Sequence, residues 1–218
     1  MCGPECMLKS FPPDTFILAN NYNTTFPKRV PLAWTDRWIY GIWIIGNRYG
    51  HKKGFYGAYP VGYLKRIHAI FPNAKNVLHL FSGVVEKGLW KKETTFDIDP
   101  DLKADVIGDV RKLRDHFKPG TFDLVIADPP YEHSDFEKYG MKPFDKRRVV
   151  KDCHSVVKRK GYLVWLDTRM PIYSKREWLL VGTIGIIIST NHRFRLVSIF
   201  EKVVKNQRNL GGSLDPSI

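Results

Sequence analysis

The run Leu124-Val125-Ile126-Ala127-Asp128-Pro129-Pro130-Tyr131 (LVIADPPY, residues 124–131) decides how the rest of the chain is read. Four apolar residues stop at a carboxylate, and two prolines and an aromatic ring follow at once. A short continuous apolar run suits a strand covered on both faces, and proline has no N–H with which to continue it. The sequence thus predicts a strand over 122–127 that ends in a rigid turn. In open α/β sheets that carboxyl end is where ligands sit.

The same rhythm extends in both directions. Strands are expected over 76–81, 94–98, 105–110 and 161–167, with a helix over 145–159 before the last of these. The stretches 182–190 and 195–203 read as strands, and the short link NHRFR between them suits an antiparallel hairpin. Near-continuous apolar strands with helices between them indicate a parallel sheet covered on both faces. Upstream, 61–71 has helical spacing through Leu64, Ile67 and Ile70. Residues 51–60 form a glycine-rich loop, and the aromatic, β-branched 38–50 favours a strand or hairpin. Residues 1–30, rich in turn formers, are expected to be irregular. The division is an N-terminal extension (1–54), a main domain (55–205) and a polar tail (206–218) that reads as mobile.

Composition narrows the partners. Lys and Arg number 35 against 22 Asp and Glu, a surplus of +13 that points to a polyanion, most often nucleic acid. A basic surface without a partner is the plainer alternative. Cys2, Cys6 and Cys153 are too few for a disulfide scaffold. Cys2 and Cys6 lack the second ligand pair a metal site needs, so no metal is expected. There is no charged-then-apolar leader at the N-terminus, and the patches at 38–45 and 179–188 are too short to span a bilayer. An intracellular, cytoplasmic protein is the expectation.

The residues just past each strand then matter. They are Phe81-Ser82-Gly83, Asp97-Ile98-Asp99, Asp109-Val110 and Asp128-Pro129-Pro130-Tyr131. A glycine turn lets the backbone approach a ligand closely. An acid after the second strand can accept from a ribose diol, and one after the third from an exocyclic amine. Together they describe a pocket for an adenosine.

On these residues the chain resembles the class I S-adenosylmethionine-dependent amino-methyltransferases that carry a D/N/S-P-P-Y/F/W motif, and within them the DNA adenine-N6 enzymes. The resemblance covers roughly residues 55–203. It implies a Rossmann-like fold: seven mostly parallel strands, an antiparallel last strand, and helices on both faces. It also implies S-adenosylmethionine as cofactor. FDIDP (96–100) matches the family's second motif and gives Asp97 the ribose role, with Ile98 beside it. Asp109 and the Val110 backbone would face the adenine. Phe81, Ser82 and Gly83 match the first-strand turn F-x-G-x-G, whose second glycine is absent here, and His79 stands where an acid is common. GAYP (57–60) resembles the segment that folds over the methionine moiety, which makes Tyr59 and Pro60 cofactor candidates.

The chemistry follows from the residue types. The lone pair of an exocyclic amine is delocalised into its ring, so the nitrogen is a poor nucleophile. Asp128 and the Pro129 carbonyl can accept from its two N–H groups and aim the lone pair at a methyl donor. Pro129 and Pro130 fix φ, so both acceptors are held before the reaction. Tyr131 can stack on a base that has left its helix. A plain Asp-Pro-Pro turn is the alternative, weakened by Asp97 and Asp109 in register. His79 and Trp165 read as core residues, and Asp99 and Asp101 as solvated or capping ones.

Basic clusters near the expected loops supply phosphate contacts: Lys138, Lys142, Lys146, Arg147, Arg148, Arg193 and Arg195. Phe194 could stack on a base or pack against its hairpin. Lys158-Arg159-Lys160 should be a solvated helix end far from the site. Only thirteen residues separate Tyr131 from Asp145, so no recognition domain fits unless residues 1–54 provide it. The expected reaction is therefore methylation of adenine N6 in DNA with short or relaxed sequence preference. RNA methylation at adenine N6 or guanine N2, and an inert nucleic-acid-binding module on the same fold, are the alternatives. Small enzymes of this type without a recognition domain resemble ones carried by mobile elements.

Overall fold

The computed structural model describes residues 14–46, 59–131, 136, 142–188 and 194–203. Expectations for 1–13, 51–58 and 204–218 lie outside the described residues. One nine-stranded sheet organises the chain. Its strands are β1 (Ala33–Trp34), β2 (Ile39–Ile45), β3 (Asn76–Leu80), β4 (Lys92–Asp97), β5 (Val106–Ile107), β6 (Phe122–Ala127), β7 (Val157–Asp167), β8 (Trp178–Ile188) and β9 (Phe194–Lys202). They lie in the order β1-β2-β8-β9-β7-β6-β3-β4-β5. The middle of the sheet is parallel, and β9 runs antiparallel to both β7 and β8. This is the expected Rossmann-like arrangement over β3–β9, including the reversed last strand.

The sheet is larger than the seven strands expected. Ile39–Ile45 pairs in parallel with Gly182–Ile188, and Ala33–Trp34 folds back on β2. An edge formed by Ile184, Ile186 and Ile188 offers unpaired backbone groups, and the β-branched 39–45 stretch satisfies them.

Helices cover both faces. Helix α1 (Asp14–Thr25) and α2 (Tyr63–Ile70) lie on one, and α3 (Leu113–His116) and α4 (Lys146–Val156) on the other. The strand alternation decides the sides: Leu124, Ile126, Val164 and Leu166 meet α1 and α2, while Val125, Ala127, Leu163 and Trp165 meet α3 and α4. All eight are fully buried, and each of the Leu, Ile and Val side chains contributes about 1.5–3 kcal/mol of transfer free energy.

Two expectations are corrected. Residues 14–25 are helical, not irregular: Leu18, Ala19 and Tyr22 are buried against the sheet, and both groups of the Asn23 amide bond the Leu32 backbone. Packing thereby outweighs a helix sequence full of Asn and Thr. And Lys158-Arg159-Lys160 belongs to β7, not to the end of α4, which stops at Val156. Lys202 Nζ bonds the carbonyls of His154 (2.6 Å) and Val157 (2.7 Å), so a cation from β9 closes that helix end.

Candidate active site

Four strand ends bring the candidate residues to one edge of the sheet. After β3 the chain reverses through two left-handed residues, Phe81 (φ 58°) and Gly83 (φ 53°). Phenylalanine in this conformation is strained by about 1–2 kcal/mol. Stacking on Phe144, with centroids 5.4 Å apart, offsets it. The reversal aims the Gly83 N–H at Asp97, whose carboxylate accepts it at 2.9 Å and accepts the Asp99 N–H at 3.2 Å. Ser82 is buried beneath the turn, and its N–H donates to Phe96 O. Ile98, next in the chain, is half-buried.

Beside this turn lies a cavity of about 260 Å³ lined by Tyr59, Pro60, Lys65, Val84, Val85 and Leu89. Its far wall is held by Glu93. One carboxylate oxygen accepts the N–H groups of Gly88 (2.7 Å), Leu89 (2.9 Å) and Trp90 (3.0 Å), and the other meets His79 Nε2 at 3.0 Å. Burial pushes the Glu93 carboxyl up, but these hydrogen bonds prevail and hold it at about 2. His79 is therefore a core residue with a partner. That partner, Glu93, reaches it from β4. The cavity and the half-buried Asp97 carboxylate beside the buried Gly83 turn could hold a nucleoside with a short polar tail.

Asp109 is engaged within the chain. It caps a 3-10 turn (Val110–Lys112) by accepting the Arg111 N–H at 2.9 Å, and it ion-pairs with the Arg111 guanidinium. That pairing draws its carboxyl below the ordinary range. Val110 is buried, and its carbonyl accepts the Leu113 N–H.

Asp128 follows β6. Its N–H reaches back to Leu80 O at 3.4 Å, which ties the turn to β3, and Pro129 and Pro130 are buried. The Tyr131 hydroxyl donates to the Asp128 carboxylate, and the Arg195 guanidinium lies 4.9 Å from the Tyr131 ring centroid. Burial pushes the Asp128 carboxyl up to about 6, against the pull of Arg195, Tyr131 and Lys146; Asp167 adds to the rise. Tyr59 joins the two halves of the edge. It lines the cavity, donates to Ile126 O at 3.3 Å and stacks on Tyr63 with centroids 5.4 Å apart.

One group was missed. Asp167 ends β7, is buried, and pairs with Lys146 Nζ at 2.6 Å; the same ammonium bonds Tyr131 O at 3.4 Å. The signal was present in GYLVWLD (161–167), a fifth apolar strand ending in a carboxylate. Lys146 accordingly turns inward instead of facing phosphates, because Asp167 would otherwise be a buried charge without a partner. Arg195 likewise covers the Tyr131 ring. Lys142, Arg147 and Arg148 are exposed, with Arg148 Nε 3.8 Å from Asp152. Lys138 and Arg193 lie outside the described residues. Among the described residues no helix is long and apolar enough to cross a membrane, and no three His, Cys, Asp or Glu gather as a metal site.

No family model matches the chain, and no curated protein does. Similar solved structures include TrmN from Thermus thermophilus, at 14% identity and TM-score 0.42 over 59% of this chain and 44% of that one. The N-methyltransferase NodS from Bradyrhizobium japonicum, in complex with S-adenosyl-l-homocysteine, is 12% identical at TM-score 0.41, over 60% of this chain and 79% of that one. An rRNA methylase from Streptococcus thermophilus is 13% identical at TM-score 0.37, over 60% and 88%. The match spans less than half of the TrmN chain. At such identities and scores the likeness carries no argument about chemistry, which rests on the site.

Proposed function

We propose that the chain is an S-adenosylmethionine-dependent methyltransferase acting on the exocyclic N6 amine of adenine in DNA, with short or relaxed sequence preference. The observation that carries this reading is Asp128: an acceptor held at a strand end by two buried prolines, one strand away from the Gly83–Asp97 turn and its cavity. When bound, the cofactor supplies an electrophilic methyl group. Asp97 would hold its ribose, the Gly83 backbone and Asp109–Val110 its adenosine, and Tyr59, Pro60 and the cavity its amino-acid end.

The chain's own residues do the rest. Ionised Asp128 accepts one amine N–H and the Pro129 carbonyl the other, which leaves the nitrogen lone pair free for the methyl carbon. The C–N bond forms as the donor's S–C bond breaks, and the positive charge that develops on nitrogen faces Asp128. The amine proton then leaves through Asp128 or solvent. In the structure the Tyr131 hydroxyl occupies Asp128, so the arriving amine replaces it as donor. Released, the Tyr131 ring stacks on the extrahelical base, an interaction worth about 1–3 kcal/mol. Exposed Lys142, Arg147 and Arg148, with Lys138, Arg193 and the overall +13 charge, would hold the phosphate backbone.

The test is transfer of tritiated methyl from S-adenosylmethionine into duplex DNA, RNA and protein, by the wild-type chain and by Asp128→Ala. Label recovered as N6-methyladenine at many sites, and abolished in the variant, is expected. Label confined to RNA or protein, a long strict target site, or label that survives Asp128→Ala would overturn the proposal.

A further inference from the structure

Helix α2 carries a side chain that the proposed reaction does not yet use. Tyr63 is fully buried, and among the described residues its hydroxyl has no hydrogen-bond partner. Its ring is well placed, stacked on Tyr59 and edge-on to Trp43 at 6.4 Å. A phenylalanine ring would make both contacts. The hydroxyl is thus a burden on the free protein, because a buried donor without an acceptor forfeits its hydration.

Its surroundings distinguish Tyr63 from other orphaned groups. Trp43 Nε1 also lacks a partner among the described residues, but no hydrogen bond or ring contact of Tyr59 joins it to the strand end at Asp128. Both the Asp128 carboxyl and the Arg195 guanidinium bear on the Tyr63 phenol, as they do on the Tyr131 phenol beside Asp128. The stacked Tyr59 hydroxyl is satisfied by Ile126 O, two residues before Asp128. The orphan hydroxyl therefore belongs to the cluster around the proposed acceptor, on the sheet face shared by Ile126 and Val197. That cluster also has a gap in its chemistry. Asp128 and the Pro129 carbonyl only accept, so they can bond an amine but not the ring nitrogen beside it. A hydroxyl can donate to that nitrogen.

Building on the proposed reaction, we propose that Tyr63 is a specificity-determining residue whose hydroxyl donates to a ring nitrogen flanking the exocyclic amine of the target base. The amine would then be fixed from one side by Asp128 and its ring from the other by Tyr63. A base entering the site would supply the acceptor that the free protein lacks.

Tyr63→Phe tests this with three readouts: thermal melting, kcat/KM on adenine-containing duplexes, and the same ratio on duplexes whose adenine is replaced by 1-deaza- or 7-deaza-adenine. The variant should melt no lower than wild type while its kcat/KM falls about tenfold, the size of one lost hydrogen bond. Wild type should lose a similar factor on one of the two deaza bases, and Tyr63→Phe should lose nothing further on that base. A drop in melting temperature with unchanged transfer makes the hydroxyl structural and overturns the role. So does an equal extra loss by the variant on both analogues. A binding arm keeps this apart from the proposed activity: affinity for a single strand bearing one adenine, against its deaza analogues, is measured without S-adenosylmethionine. Wild-type preference that Tyr63→Phe abolishes supports the role even if no methyl is ever transferred, in which case the activity alone falls. No preference in the wild type overturns the role.

Discussion

Replacing Asp128 with asparagine should stabilise the protein at neutral pH while slowing its chemistry, because the amide oxygen still accepts a hydrogen bond but carries no charge. Burial lifts the Asp128 carboxyl from its ordinary 3.8 to about 6. An acid whose folded value lies above its unfolded one binds its proton more tightly in the folded state. Its contribution is therefore fully present below about 4 and is lost as pH rises through 6. At about 1.4 kcal/mol per pH unit the span corresponds to about 3 kcal/mol, and partial exposure of the residue lowers this to about 1–3 kcal/mol. Asparagine cannot ionise. Its exchange of hydrogen bonds with Tyr131 adds an offset that does not change with pH. The difference in stability between Asp128→Asn and wild type should consequently grow by about 1–3 kcal/mol between pH 4 and pH 7, then level off. Urea unfolding of both proteins at unit pH steps from 4 to 8 measures it. A difference constant to within about 0.5 kcal/mol over that range would refute the reasoning, because the carboxyl would then not be held in a desolvated site.

Other outcomes follow from the same geometry. The methyl-transfer rate should rise about tenfold per pH unit below about 6 and flatten above it, since only ionised Asp128 offers both oxygens as acceptors. A rate flat from pH 5 to 8 would contradict this. Glu93→Gln should lower stability by about 2–4 kcal/mol at pH 7, since a neutral amide replaces the carboxylate that holds residues 88–90. The loss should shrink toward pH 2, where the wild-type carboxyl, held at about 2, itself takes up a proton. Thermal melts across pH read both effects. Lys146→Met leaves Asp167 buried without its cation and should cost about 3–5 kcal/mol, and adding Asp167→Asn should restore most of it. If the single and double variants melt alike, the pair is not what holds α4 to β7. Arg147→Ala and Arg148→Ala should each flatten the salt dependence of DNA binding by about 0.9 in log–log slope per lost phosphate contact. Unchanged slopes would remove these arginines from the interface.

Much of the architecture was legible because it is written in local patterns. The apolar runs at 76–80, 122–127 and 161–167 are strands because strands buried on both faces need no polar alternation. Leu64, Ile67 and Ile70 announced α2 because one turn of helix brings them to one side. Phe81–Gly83, Asp97 and Asp128 could be placed at one edge because parallel strands all end there. Less legible was what depends on partners distant in the chain. Residues 14–25 carry no strong helical pattern, and their helix is stabilised by the sheet beneath it. Residues 39–45 could have formed a hairpin alone, and the free edge of β8 decided otherwise.

The same division runs through the site. The sequence by itself determined which residue types stand at the strand ends, since that follows from where each apolar run stops. Tertiary structure alone decided how those groups are engaged. Asp109 is held by Arg111, Lys146 by Asp167, the loop beside the cavity by Glu93, and the Tyr63 hydroxyl by nothing among the described residues. Periodicity records whether a side chain is buried. Which charge or hydroxyl it meets there is set by the packing of whole elements, and no local pattern encodes it.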